Sequence, residues 1–217
     1  MITFRINDIP VVVEEGTSIL EAALMHGFPI PTLCHKDGLS PYGACRLCIV
    51  EIGDEHEPIV VSSCTYPAQE NLRVRTATEK IIHSRKIILE LMLASSPQSK
   101  IIRDIAASYS VHRQRFKQEN ENCILCGLCV RMCEEQMMAK ALGFKGRGTE
   151  RSVGIPFDKE SEVCRDCGGC IYVCPVCQLH TTIPELEDTI CSTCSATSSF
   201  FEQDSDDSIL RASREEE

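Results

Sequence analysis

Two stretches of this chain repeat one cysteine spacing. NCILCGLCVRMCEEQ places Cys123, Cys126, Cys129 and Cys133 with gaps of two, two and three residues. VCRDCGGCIYVCPVC places Cys164, Cys167, Cys170 and Cys174 in the same way, with Pro175 next. Nothing else in the sequence constrains folding as tightly. Three thiolates so closely spaced can reach three corners of one cubane, while the fourth, on the following helical turn, points away to a neighbouring cubane. The spacing predicts two [4Fe–4S] clusters with crossed ligation: Cys123, Cys126, Cys129 and Cys174 for one, and Cys164, Cys167, Cys170 and Cys133 for the other. Two structural zinc sites are the alternative, although zinc ligands usually come as spaced pairs rather than quartets. Glu134 stands where a proline usually follows the fourth cysteine, a departure in the first run.

A third quartet precedes these. Cys34 is followed after ten residues by Cys45 and after two more by Cys48, with Cys64 fifteen residues beyond. A loop cysteine, a close pair and a distant fourth make the layout of a [2Fe–2S] site, in which each iron takes two thiolates and loop N–H groups face the sulfides. Gly38 and Gly43 suit a loop wrapped closely around an inorganic core. The plant-type first gap is four residues, so ten is long. A zinc site, or unrelated buried cysteines, are the alternatives.

These quartets use twelve of fifteen cysteines in 217 residues. The apolar fraction of 43% includes them; without them it is roughly 36%, and there is no tryptophan. That is thin for two or three small domains, and inorganic clusters would fill the deficit. An odd cysteine count leaves one thiol over in any full disulfide framework. No apolar h-region follows MITFRIND, and no uncharged apolar run approaches the length of a membrane span. The expectation is a cytoplasmic chain with reduced, metal-binding thiols. A formal charge of −10 argues against nucleic-acid binding, which needs a basic face.

The expected fold class is α+β. Residues 1–78 read as a [2Fe–2S] β-grasp ferredoxin-like domain, with strands at 2–6, 11–15, 48–52, 58–63 and 72–76 and a helix over 18–27 ending at Gly27. Asn7-Asp8-Ile9-Pro10 reads as the turn between the first two strands. Thr76 and Glu79 are spaced as a capping box before an amphipathic helix over Ile81, Ile82, Ile88, Leu89 and Met92 to about Ala94. Pro97 breaks it, and a second helical stretch runs to about Phe116, so 79–118 reads as a helical linker. Residues 119–183 are the bacterial-type 2[4Fe–4S] ferredoxin-like domain. Residues 184–217 form a C-terminal extension with a cysteine pair and an acidic tail.

The Cys34–Cys64 layout, CILCGLCVRMCEEQ, GFKGRG, VGIPFD and CGGCIYVCPVCQL together resemble the N-terminal iron–sulfur region of complex I large subunits, NAD-linked formate dehydrogenases and iron-only hydrogenases. The resemblance covers most of residues 1–194. It implies an electron-relay subunit, non-catalytic in itself, inside a larger NAD(P)-linked oxidoreductase. One partner would be a flavin subunit handling the nicotinamide, the other a hydrogenase, formate dehydrogenase or transhydrogenase-type unit. A self-standing ferredoxin and an iron–sulfur sensor or scaffold are the rival readings. Such proteins often carry a further cluster held by one His and three Cys. Here Ser96 stands where the histidine would be, and Lys100 and Arg103 where the first two cysteines would fall. The expectation is that this cluster is lost.

The remaining cysteines lie in PVCQLHTTIPELEDTICSTC. Cys191 and Cys194 form one two-thiolate claw, and Cys177 with His180 offers another ten residues upstream. The resemblance also suggests that Cys191 and Cys194 are relics of a molybdopterin-domain cluster whose third cysteine is replaced by Ser198. Three readings stand: a zinc site from Cys177, His180, Cys191 and Cys194, a further iron–sulfur cluster, or unliganded thiols.

Overall fold

The computed structural model describes residues 1–176 except 55, 113–114, 119–122 and 159–160. Cys177, His180, Cys191 and Cys194 therefore lie outside the described residues.

The first unit is a five-stranded mixed sheet crossed by one helix. β1 (Ile2–Ile6) and β2 (Ile9–Val13) form an antiparallel hairpin in which Ile6 faces Ile9 and Ile2 faces Val13. The turn is only Asn7 and Asp8, both at positive φ (48° and 66°), which matches a two-residue hairpin whose backbone twist suits the strands. The expected four-residue turn and a strand over 11–15 are thus corrected. Ile9 and Pro10 already belong to β2, and proline is tolerated there because β2 is an edge strand. β3 (Ile49–Ile52), β4 (Ile59–Ser62) and β5 (Arg73–Arg75) complete the order β2-β1-β5-β3-β4, with β1 and β5 parallel and the other pairs antiparallel.

Period-two alternation sends Phe4, Ile6, Val11 and Val13 inward. They meet α1 (Ile19–Met25), which buries Ile19, Leu20, Ala22 and Ala23. Full burial of each large aliphatic side chain contributes roughly 1.5–3 kcal/mol, so this face is what closes the unit. α1 starts with a capping box: Ser18 accepts the Glu21 N–H at 3.2 Å and Glu21 accepts the Ser18 N–H at 2.8 Å. The Ser-x-x-Glu spacing that marks it is present in the sequence. At Thr76 the expected box does not form. Thr76 is buried and tied to Asn7, and Thr78 caps the next helix by accepting the Ile81 N–H at 3.3 Å.

That helix, α2 (Glu79–Ser95), and α3 (Lys100–Ser108) make a hairpin. α3 ends eight residues before the expected Phe116. Tyr109 closes it, and Ser110 follows with φ 57°, a left-handed exit that stops helix propagation. The buried face of α2 reads Ile81, Arg85, Leu89 and Met92, a helical stripe with one arginine inside it. Leu89, Ile102 and Ala106 pack with Leu33, Leu47, Leu128 and Val173 in a second core. Cys34, Cys45 and Cys126 belong to that same core, so both cysteine regions border one apolar interior.

The dicluster segment holds short elements: α4 (Leu128–Arg131) continued by a π-helical turn (Met132–Gln136), an antiparallel ribbon of β6 (Gly143–Lys145) and β7 (Ser152–Gly154), and α5 (Gly169–Val173). Among the described residues no helix is long and apolar enough to cross a membrane.

Candidate metal centres

Cys34 and Cys45 sit on the long loop between α1 and β3, Cys48 immediately before β3, and Cys64 just past β4. All four are buried. They meet as two pairs. The Cys45 N–H points at the Cys34 sulfur at 3.4 Å, and the sulfurs of Cys48 and Cys64 are 3.3 Å apart. Hydrogen bonding from the Cys45 side chain lowers Cys34 to about 5, against burial, with the Arg131 charge helping. The Cys64 side chain does the same for Cys48, which falls to about 6. The second member of each pair is pushed up chiefly because it donates that hydrogen bond, and then by burial. Two sulfurs per pair suit two irons bearing two thiolates each.

The two cubane runs share a backbone device. In the first, Leu125 and Gly127 have φ 51° and 71°; in the second, Asp166 and Gly168 have φ 48° and 65°. These are the residues on either side of the middle cysteine in the first run and the matching positions in the second. Left-handed residues curl successive peptide N–H groups toward a common concavity, the geometry of an anion nest, and a cluster of sulfides and thiolates is such an anion. Leucine in this region is strained, and such strain gathers at functional sites. Cys133 lies within the π-helical turn, and its sulfur accepts the Ala141 N–H at 3.2 Å.

Cys126 is pushed up to about 12, chiefly by burial and then by the charges of Cys174, Cys123 and Cys34. Cys129 is raised for the same first reason, with Cys174 leading the charges and Cys126, Cys123 and Cys170 following. Cys174, from the second run, is therefore a close electrostatic neighbour of the first run's trio. Cys170 lies near enough to act on both Cys129 and Cys164. Gly169 packs against Met132, where an added Cβ would stand 3.4 Å from its side chain, so the two runs touch. Buried thiols that resist ionisation alone and crowd one another suit metal cations, which draw the protons off. None of the twelve cysteines described is in a disulfide. Among the described residues no three Cys, His, Asp or Glu side chains are grouped to hold a single metal ion. Cys164 and Cys167 are exposed, unlike the sulfurs of the other groups.

The loop of the first site is gripped by the dicluster segment. Arg131 donates to the carbonyl oxygens of Cys34 (2.7 Å) and Ser40, Glu135 accepts the Ser40 N–H at 2.7 Å, and Gln136 donates to the Gly38 carbonyl. Tyr42 stacks on Phe144 with centroids 6.1 Å apart, and Arg131 and Arg151 cover the two rings. Where the resemblance places a further cluster, Ser96 and Ser99 are fully buried; Ser99 caps α3 and donates to the Pro175 carbonyl at 3.1 Å. Lys100 is exposed and paired with Asp104 at 2.6 Å.

Sequence reasoning missed Arg85 and Arg131. Arg85 was legible as a charged residue at the i+4 position between Ile81 and Leu89, in the middle of an apolar stripe. Arg131 carried no such signal, because its burial depends on a loop distant in sequence.

The fold and the sulfur groups define an iron–sulfur protein with an N-terminal [2Fe–2S] domain on a mixed sheet, a helical hairpin and a 4Fe–4S dicluster domain. Residues 1–79 match the 2Fe-2S iron-sulfur cluster binding domain family, and residues 122–177 the 4Fe-4S dicluster domain family. The chain is 32% identical over 203 residues to an NADH-quinone oxidoreductase subunit of Rhizobium meliloti (strain 1021). It is 30% identical over 200 residues to the NADPH-Fe(3+) oxidoreductase subunit alpha of Geobacter sulfurreducens. Each alignment covers 81% of this chain but 23% of the relative, so the chain spans about a quarter of the length of these curated relatives. A crystal structure of a NAD+-reducing [NiFe]-hydrogenase in the H2-reduced state superposes with a TM-score of 0.64 at 27% identity, over 71% of this chain and 75% of that one. The [2Fe–2S] and dicluster region thus resembles the N-terminal part of the large iron–sulfur subunit of NADH-quinone oxidoreductases and a NAD+-reducing hydrogenase subunit.

Proposed function

We propose that this chain is the electron-relay subunit of a multi-subunit, NAD(P)-linked oxidoreductase. It passes single electrons between a flavin module that handles the nicotinamide and a second redox unit of hydrogenase, formate dehydrogenase or transhydrogenase type. It works in the cytoplasm and performs no bond chemistry of its own. Cys34 with Cys45, and Cys48 with Cys64, hold the two irons of the [2Fe–2S] cluster. Cys123, Cys126, Cys129 and Cys174 hold the first cubane; Cys164, Cys167, Cys170 and Cys133 hold the second. The clusters supply one-electron transfer, and the chain's residues ligate, bury and space them.

The observation that carries this reading is the joint between the first two centres. Cys34, Cys45 and Cys126 line one apolar core, the charge of Cys34 acts on Cys126, and Arg131 ties the Cys34 carbonyl to the helix between Cys129 and Cys133. Such closeness suits tunnelling from the [2Fe–2S] site to the first cubane, and the crossed sulfurs suit tunnelling onward to the second. The exposure of Cys164 and Cys167 suits exchange with a partner at that end. The names of the relatives, which refer to NADH, NADPH and NAD+, support a nicotinamide link.

Anaerobic purification from the native source tests the reading. The chain should carry about ten irons and elute with a flavoprotein that reduces its clusters on addition of NADH or NADPH. Elution alone with full iron, and no reduction by either nucleotide in the presence of the cell extract, would support a self-standing ferredoxin instead.

A further inference from the structure

Arg85 and Arg131 are 2% and 8% exposed. Arg85 spends all three guanidinium nitrogens internally: Nε on the Leu47 carbonyl (2.9 Å), Nη2 on the Ile49 carbonyl (2.7 Å) and Nη1 on the Tyr109 hydroxyl (3.1 Å). Leu47 and Ile49 are the residues on either side of Cys48. Arg131 holds the carbonyl of Cys34 itself and that of Ser40 on the same loop, and among the described residues its Nε has no hydrogen-bond partner. Among the described residues neither guanidinium has a carboxylate within ion-pair distance. Glu135, on the turn that follows Arg131, accepts the Ser40 N–H in an exposed position, where water screens it.

A buried cation without a counter-ion is costly, and proteins keep one where something negative offsets it. Carbonyl dipoles offset part. The remainder is available to the cluster, which rests on the assignment of Cys34, Cys45, Cys48 and Cys64 as its ligands. Four thiolates and two sulfides leave the oxidised [2Fe–2S] site net anionic, and reduction adds one further negative charge without breaking a bond. Both arginines therefore interact more strongly with the reduced form than with the oxidised form. They grip the site from opposite parts of the chain, one from the α2 helix and one from the dicluster segment.

We propose that Arg85 and Arg131 set the reduction potential of the [2Fe–2S] cluster, raising it through their buried, carboxylate-free charges. Charge, not the hydrogen-bonding fork, is the active property. Both are positioning and tuning residues; neither is a ligand.

The test is an anaerobic redox titration of the whole chain followed by EPR, with iron counted in every sample. At the potential where the wild-type [2Fe–2S] cluster is half reduced, Arg85→Met should lower the reduced-to-oxidised ratio about tenfold, equivalent to about 59 mV for a one-electron couple. Arg85→Lys, whose ammonium the anionic cluster beside it would hold in the charged form, should stay within about twofold of wild type. In Arg85→Met the two [4Fe–4S] midpoints should not move, since Arg85 touches neither cubane run. An unmoved [2Fe–2S] midpoint in Arg85→Met with full iron would overturn the proposal, as would Arg85→Lys falling as far as Arg85→Met. If Arg85→Met does not assemble, Arg131→Met decides by the same tenfold criterion. A wild-type protein without a [2Fe–2S] signal, or with that signal surviving removal of Cys34 and Cys48, would instead refute the ligand assignment.

Discussion

Arg131 donates from Nη2 to the carbonyl oxygen of Cys34 at 2.7 Å, across ninety-seven residues of sequence. This contact joins the Cys34 loop to α4, the helix that carries Cys129, and so ties the first cysteine region to the dicluster segment. The consequences can be measured.

Removing Cys174 should damage the cluster of the other run. Its charge acts on Cys126 and Cys129. In Cys174→Ala the iron content should fall by about four per chain, and EPR with site-selective labelling should show the loss at the cubane of Cys123, Cys126 and Cys129. Loss at the cubane of Cys164, Cys167 and Cys170 would refute the crossed arrangement.

Gly127 faces the aromatic stack. A Cβ there would lie 3.1 Å from Tyr42 and 3.2 Å from Phe144, at a φ of 71°. Gly127→Ala should cost roughly 1–2 kcal/mol from the backbone alone, plus the displacement of two rings. Gly148→Ala is the control: φ is 58°, with nothing within 4 Å among the described residues, so only the backbone cost applies. Anaerobic thermal unfolding should rank Gly127→Ala below Gly148→Ala, with iron lost from the first cubane only in the former.

The metal-free protein should retain thiolates at neutral pH. Each pair at the first site gives up its first proton early, Cys34 near 5 and Cys48 near 6, because the partner thiol donates to the sulfur left behind. Both values lie below the ordinary thiol value, so the charged form is present above them and is lost as the pH falls through them. Ultraviolet thiolate absorbance should show about two thiolates at pH 7, fading between roughly pH 6 and 5. A Cys34→Ser, Cys48→Ser double variant should lack that step.

Ser99 serves two partners, capping α3 and donating to the carbonyl next to Cys174. Ser99→Ala leaves the buried Pro175 oxygen without that donor and should cost about 1–2 kcal/mol. Hydrogen exchange should rise in the first turn of α3 while the [2Fe–2S] spectrum stays unchanged. Protection equal to wild type would mean that the cap contributes nothing.

β1 was readable because alternating apolar residues mark a half-buried strand, and β3 and β4 because short β-branched runs favour strands. Their boundaries were less so. Pro10 reads as a breaker in sequence, and only its place on an edge strand admits it to β2. Thr76 satisfies the spacing of a capping box but is claimed by Asn7, sixty-nine residues away, leaving Thr78 to cap α2. Tyr109 and Ser110 end α3 early because the backbone turns left-handed there, which no composition signal in that stretch announces.

The cysteine spacing by itself determined how many thiolates could meet and which cluster types they suit. Cluster ligation is set by chain reach over a few residues, and reach is written in the spacing. Which regions lie side by side, which sulfurs are buried and which cations share their interior depend on contacts between segments tens of residues apart. Arg85 and Arg131 could acquire meaning only there. A guanidinium on a helix looks like any solvated charge until the folded core removes the water around it, and its field then acts at the low-dielectric strength that only burial provides.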